Sequence, residues 1–249
     1  MAAMIRVEDA GVAFSGRWIF RNVSLALARG ELLAILGRNG CGKTTLLRAL
    51  LGLQPWSSGR SEVDGAIGFV PQAAEMPFAY SVLDIVLMGR ARHLRTFELP
   101  GLADYTAARE ALAMLGLQDF EQRRIDEISG GERQLVMIAR ALASCSGALV
   151  LDEPTSALDF RNQDVILSTM RRMAREHGHA VIFSSQYPQH ALHIADKVLL
   201  MNHVDHNPCG PAGEILTEAA LTRLYDFPIR RVEVAREEGA SSTLVPVFS

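Results

Sequence analysis

Eight residues constrain this chain more than any others: Gly37-Arg38-Asn39-Gly40-Cys41-Gly42-Lys43-Thr44, which fit the spacing G-x-x-x-x-G-K-[ST]. The run before them, Glu31-Leu32-Leu33-Ala34-Ile35-Leu36, is short and apolar, which predicts a buried strand. From Lys43 to residue 51 the periodicity is helical, so the glycines occupy a strand–loop–helix turn. Such a loop turns its backbone N–H groups inward, and the N-terminus of the following helix adds positive potential. The site so formed takes phosphate. Within it the Lys43 ammonium is expected to reach the β- and γ-phosphates, and the Thr44 hydroxyl to ligate Mg2+. A chance glycine-rich turn does not bring both flanks with it. Gly37, Asn39, Gly40, Cys41, Gly42, Lys43, Thr44 and Thr45 are therefore read as the ATP-binding residues.

A second apolar run, Ala148-Leu149-Val150-Leu151, ends in Asp152-Glu153-Pro154. Ligands of open α/β sheets bind at the carboxyl ends of the strands, so this strand delivers two carboxylates to the edge that carries the phosphate loop. Asp152 is expected to share the Mg2+ shell with Thr44. Glu153 is expected to polarise the attacking water, general-base help usually about 10²–10⁴-fold. Alone, an Asp-Glu pair after a strand is a common helix-start feature; beside a phosphate loop it reads as catalytic.

Strands at 66–71, 180–185 and 197–202 alternate with helices at 132–143 and 163–176, which predicts a mostly parallel sheet covered on both faces. Residues 5–27 alternate apolar and polar around Ser15-Gly16 and read as a small antiparallel sheet. Between about 73 and 130 the apolar positions recur at helical period, so an inserted helical subdomain is expected there. After Gly210 one more helix, 216–225, precedes an end that reads as irregular. One domain is thus expected over 1–230, with a C-terminal tail at 231–249.

A formal net charge of −3 leaves no basic footprint for nucleic acid. Cys41, Cys145 and Cys209 are too few and too irregularly spaced for a disulfide framework or a zinc site, which points to a reducing compartment. His203 and His206, with Asp205 and Cys209, lack a second ligand pair and read as a solvated loop. Cys41 puts a thiol in the phosphate loop, where modification would block ATP. No apolar run is long enough to span a bilayer, and the start of the chain lacks signal-peptide character. Any role at a membrane is expected to come through a partner.

Ile128-Ser129-Gly130-Gly131-Glu132-Arg133-Gln134 opens the helix ahead of the Asp-Glu strand. Physically it is a second anion site: a hydroxyl, glycine N–H groups and a helix N-terminus. One chain has no use for two γ-phosphate sites, but a head-to-tail dimer has. The segment resembles the signature of ABC ATPases, usually Leu-Ser-Gly-Gly-Gln, and further matches run in the family's order to about residue 230. The resemblance implies an α/β fold: a P-loop NTPase (RecA-like) core with a mostly parallel sheet, an N-terminal antiparallel β subdomain and an inserted α-helical subdomain. It implies that Ser129, Gly130, Gly131 and Glu132 act in trans on a partner's ATP, and that Ser156 and Asp159 in Ser156-Ala157-Leu158-Asp159 cross the dimer interface. Gln72 falls where the family joins core to helical subdomain and senses Mg2+ and the γ-phosphate. Phe14 falls where an aromatic stacks on adenine, a core aromatic being the alternative.

One departure from the family matters, the Glu132-for-Gln exchange in the signature being milder. After the 180–185 strand, where a histidine normally contacts the γ-phosphate, Ser184-Ser185-Gln186-Tyr187-Pro188 places Gln186. An amide donates a hydrogen bond but carries no charge and shuttles no proton, so Gln186 is expected to slow the chemical step that Glu153 still supports. His190 reads as a packing residue of the next helix. Phe78-Ala79-Tyr80-Ser81-Val82-Leu83-Asp84-Ile85-Val86-Leu87-Met88-Gly89-Arg90 resembles bacterial importer ATPases for iron-siderophore, haem, cobalamin and molybdate or tungstate, most of all the molybdate/tungstate type. That resemblance implies a homodimer at the cytoplasmic face of the bacterial inner membrane, working with permease subunits and, indirectly, a substrate-binding protein. A DNA-repair ABC ATPase would carry a long coiled coil between Gln72 and Ser129, where sustained heptads are missing. A ribosome-acting factor would carry two cassettes, and a small-molecule P-loop kinase would lack the signature.

Overall fold

The computed structural model describes residues 3–72, 79–202, 204–236 and 239–248. β1 (Ala3–Phe14) and β2 (Arg17–Ala28) form an antiparallel hairpin. Its loop holds Ser15 at φ 50° and Gly16 at φ 77°, the left-handed backbone with which two-residue loops follow the strand twist. β3 (Leu32–Leu36) runs through the glycine loop into α1 (Lys43–Leu50). β4 (Ser58–Val63) then returns to β1 and completes a three-stranded sheet ordered β2-β1-β4. Sequence gave little sign of β4, because Ser58-Gly59-Arg60-Ser61-Glu62-Val63 has one apolar side chain. Backbone pairing with β1, rather than burial, makes it a strand.

After β5 (Ile67–Val70) come α2 (Val82–Leu87), a 3-10 turn at Met88–His93, α3 (Leu102–Met114) and α4 (Gly130–Ala143). β6 (Ala148–Leu151), α5 (Phe160–Arg175), β7 (Ala180–Ser185), α6 (Pro188–Ile194), β8 (Lys197–Leu200), β9 (Cys209–Pro211), α7 (Ala212–Ile215) and α8 (Glu218–Tyr225) follow. The central sheet has the order β5-β6-β7-β3-β8-β9 and is parallel except for the β8–β9 pair.

Every residue of β3, β6 and β7 is buried, and the two-residue period of the strand divides them between two cores. Leu32, Ala34 and Leu36 face the helices of one side, while Leu33 and Ile35 face α1 and the N-terminal sheet. Leu149 and Leu151 repeat the division against Ala148 and Val150. Each fully buried aliphatic side chain contributes about 1.5–3 kcal/mol, which fixes the strands whose ends carry the site. Both faces of the sheet are covered.

Ser81 caps α2 through a reciprocal box with Asp84. Arg90, in the 3-10 turn, pairs with Asp104 of α3 (Nε–Oδ1 2.9 Å) and donates to the carbonyl of Ala143 at the end of α4 (2.8 Å). This locks the three helices to one another. The start of the expected helical insertion, 73–78, lies outside the described residues.

The irregular end expected after α8 is instead an antiparallel hairpin, β10 (Ile229–Arg236) with β11 (Gly239–Pro246), Ile229 opposite Pro246. Val232 and Val234 alternate with charged residues there, too briefly to stand out in the sequence. The hairpin is held instead by Ile229 and Leu244, both buried in the helical core. Among the described residues no helix is long and apolar enough to cross a membrane.

Candidate active site

The turn from β3 into α1 needs Gly42: φ is 104°, and a Cβ there would stand 2.7 Å from Ile19 Cγ2. Lys43 opens α1 and is 5% exposed. Its ammonium donates to the carbonyls of Gly37 (2.9 Å) and Arg38 (3.3 Å) and pairs with Glu153 Oε1 at 3.1 Å. Thr44 Oγ1 lies 2.7 Å from Asp152 Oδ2, and Asp152 is 2% exposed. Gln72, just past β5, donates through Nε2 to Glu153 Oε2 at 3.3 Å. Three strand ends thus bring Lys43, Thr44, Gln72, Asp152 and Glu153 together. A cavity of about 430 Å3 opens among them, lined by Ile19, Asn39, Gly40, Gly42, Lys43, Thr44, Thr45, Gln72 and Glu153.

The carboxylates are fixed by a residue that sequence reasoning passed over. Ser184, fully buried near the end of β7, donates to Asp152 Oδ1 (2.6 Å) and accepts from the Glu153 backbone N–H (2.8 Å). Glu153 itself sits at φ 44°, a left-handed conformation costing a non-glycine residue on the order of 1–3 kcal/mol. Strain of that size persists only where the surroundings hold it, and the Ser184 bond is one such restraint. The sole sequence signal for Ser184 was its place near the end of a buried strand.

Thr44 and Asp152 present hard oxygen donors to one another at hydrogen-bond distance at the mouth of the helix, a donor set that suits Mg2+. Among the described residues no cluster of three or more His, Cys, Asp or Glu side chains could hold a metal ion. His203 lies outside the described residues, Asp205 is paired with Arg21, and burial pushes the Cys209 thiol up to about 11. Cys41 is raised as well, burial outweighing the Lys43 charge, so the phosphate-loop thiol stays protonated. That opposes the reactivity its position suggested.

Other expected residues stand outside the cavity. Phe14, at the tip of the N-terminal hairpin, is 47% exposed, while Trp18 and Ile19 line a neighbouring cavity with Gly40, Cys41, Asn202 and Val204. Gln186 follows β7 and lines an apolar cavity of about 340 Å3 with Tyr187, Tyr225 and Phe227. Ser129 caps α4, its Oγ accepting from the Glu132 N–H (3.3 Å) while the Glu132 carboxylate accepts from the Ser129 N–H (2.8 Å). That bond holds the Glu132 carboxyl below its usual range. Gly130 and Gly131 form the first turn behind this cap, and none of the four lines the Lys43 cavity. Ser156 Oγ donates to the Glu153 carbonyl (2.8 Å), and Asp159 caps α5 by accepting from the Asn162 N–H (2.8 Å).

The sequence model of the family described as ABC transporter matches residues 20–156. Over 249 residues the chain is 42% identical to the molybdate import ATP-binding protein of Haemophilus influenzae, covering all of this chain and 98% of that one. It is 32% identical to a hemin import ATP-binding protein of Burkholderia pseudomallei, covering 98% and 100% of the two. A solved metal-chelate type ABC transporter in an inward-facing conformation superposes with a TM-score of 0.95 at 42% identity, covering 99% of this chain and 98% of that one.

Proposed function

The chain belongs to the ABC transporter family and is an ATP-binding, ATP-hydrolysing subunit of it, and from that premise we propose that it powers a bacterial importer of a metal-containing cargo. Molybdate or tungstate is the cargo favoured; iron-siderophore, haem and cobalamin are the alternatives. The observation that carries the ATPase site is the convergence of Lys43, Thr44, Asp152 and Glu153 on one sheet edge. Full-length likeness to a molybdate import ATP-binding protein supports the cargo.

The roles proposed for the residues are these. The loop amides of 37–44 and Lys43 bind the β- and γ-phosphates, Lys43 exchanging its carbonyl and Glu153 partners for phosphate oxygens. Thr44 and Asp152, with Gln72, would hold Mg2+, which would neutralise charge on the phosphates. Glu153, released from Lys43, orients water for attack on the γ-phosphorus and takes its proton. Gln186 offers an amide donor toward the same phosphate. Phe14 packs on the adenine.

The proposed site needs a second wall, and Ser129, Gly130, Gly131 and Glu132 lie outside the lining of this one. A second copy of the chain, turned head to tail, supplies that wall and aligns Ser156 and Asp159 across the interface. Residues 1–230 then act as one ATPase domain, with the helical insertion at about 73–130 receiving separate permease subunits at the cytoplasmic face of the inner membrane. Closing the dimer on ATP moves the permease; hydrolysis reopens it. A substrate-binding protein delivers cargo from the other side.

Glu153→Gln tests this. Hydrolysis is expected to fall about 10²–10⁴-fold while Mg-ATP holds the variant as a dimer on a sizing column. A variant that hydrolyses like the wild type, or that stays monomeric in Mg-ATP, would sink the sandwich reading. Cargo is tested by uptake in cells lacking the chain: lost molybdate uptake supports the assignment, and unchanged molybdate uptake with lost haem or iron uptake reassigns it.

A further inference from the structure

α6 carries a buried imidazole that links the two loops of the site. His190 is 5% exposed, and its Nδ1 lies 3.3 Å from both Thr155 Oγ1 and Ser185 Oγ. Both hydroxyls are themselves buried, at 3% exposure each. Thr155 is two residues past Glu153. Ser185 immediately precedes Gln186, and its Oγ also accepts from the Tyr187 backbone N–H at 3.0 Å, so this one hydroxyl anchors both flanks of Gln186. The Tyr187 ring leans on the imidazole with centroids 5.2 Å apart. Burial, with His193 one turn along α6, drives the His190 imidazole down to about 4, so at neutral pH it is an uncharged hydrogen-bonding bridge.

A packing residue needs none of this. An aliphatic side chain would fill the same space but leave both buried hydroxyls without this partner.

We propose that His190 is a positioning residue for ATP hydrolysis: it ties Thr155 to Ser185 and thereby sets the separation between Glu153 and Gln186. Ser184 fixes the first of the two loops from the β7 side, through Asp152 and the Glu153 amide. His190 fixes the second to the first. The proposal rests on the reading above, in which Glu153 and Gln186 both address the γ-phosphate.

Two variants separate positioning from packing. His190→Asn keeps a polar atom near the place of Nδ1 but loses ring volume; His190→Leu keeps volume and loses the bridge. With the full chain in Mg-ATP, His190→Leu is expected to lower kcat about tenfold with KM within about twofold, and His190→Asn to recover to within about threefold of wild type. Packing alone predicts the reverse order, with Leu close to wild type and Asn worse in both Tm and rate. Wild-type kcat in His190→Leu would overturn the proposal, as would equal losses in both variants that track Tm.

Hydrogen exchange at the Tyr187 amide gives a reading independent of turnover. It is expected to quicken in His190→Leu and return in His190→Asn; unchanged exchange in the Leu variant also overturns the proposal. Lys43→Ala isolates the underlying assignment. If that variant hydrolyses normally, the phosphate-site reading fails, while the exchange result still decides whether His190 holds the loop.

Discussion

β6 and β7 are neighbouring parallel strands, and each ends in a loop at the same edge, yet the two loops are built differently. The loop after β6 carries charge: Asp152 and Glu153 are tied to Thr44 and Lys43 at 2.7 and 3.1 Å. The loop after β7 carries none. Ser184 and Ser185 at the end of the strand and Gln186 and Tyr187 beyond it are neutral, and the histidine behind them is held uncharged. In the reading proposed here, charge sits where phosphate, metal and water would be handled, and neutral hydrogen bonds set the spacing. In a low-dielectric edge this division avoids stacking uncompensated charges, each of which would carry a desolvation cost.

The largest expected effect breaks the charged side. Lys43→Ala removes the ammonium that bridges the phosphate loop and Glu153, and hydrolysis is expected to fall at least about 10²–10³-fold with nucleotide affinity reduced. Equal rates for variant and wild type would show that the β6 side does not handle the phosphates.

Ser184→Ala probes the joint between the two sides. It leaves the Glu153 N–H and one Asp152 oxygen without their partner at a fully buried position. Stability is expected to fall by about 1–3 kcal/mol in chemical denaturation, and kcat about tenfold. A stability loss with kcat intact would mean that Glu153 keeps its left-handed backbone without this restraint, and the comparison would lose its joint.

The charged side was legible in the sequence, whereas of the neutral side only Gln186 was, for a physical reason. A phosphate loop demands glycines at fixed spacing and a lysine, because only those residue types allow the turn and supply the charge, so Gly37 to Thr44 announce themselves. Asp152 and Glu153 follow a run of four buried residues that has no other place in a doubly covered sheet. Ser184, Thr155 and His190 act only through neighbours brought together by folding, and serine, threonine and a lone histidine are common for many reasons. His190 reads naturally as packing, since it is buried on the inner face of α6; its double contact exists only in three dimensions. β4 and the β10–β11 hairpin escaped for a related reason. Pairing in one case and two anchors, Ile229 and Leu244, in the other stabilise them rather than any apolar period.

The smallest expected effect tests the neutral side at its tip. Gln186→His puts an imidazole where the family commonly has one, against the γ-phosphate in the reading proposed here. A hydrogen bond from a charged donor to phosphate exceeds one from a neutral amide by about 1 kcal/mol, which predicts hydrolysis about fivefold faster. The gain should carry a pH signature. The new imidazole is charged below its own pKa and loses the extra attraction above it, so the advantage over wild type should shrink between about pH 6 and 8. His190 does not blur that reading, because at about 4 it is already neutral across the range, and burial of Tyr225 in the same cavity keeps its phenol protonated. A variant no faster than wild type at pH 6 would mean that position 186 does not reach the phosphate. Gln186 would then belong to the apolar cavity it lines with Tyr187 and Phe227, and the neutral loop would act solely by spacing.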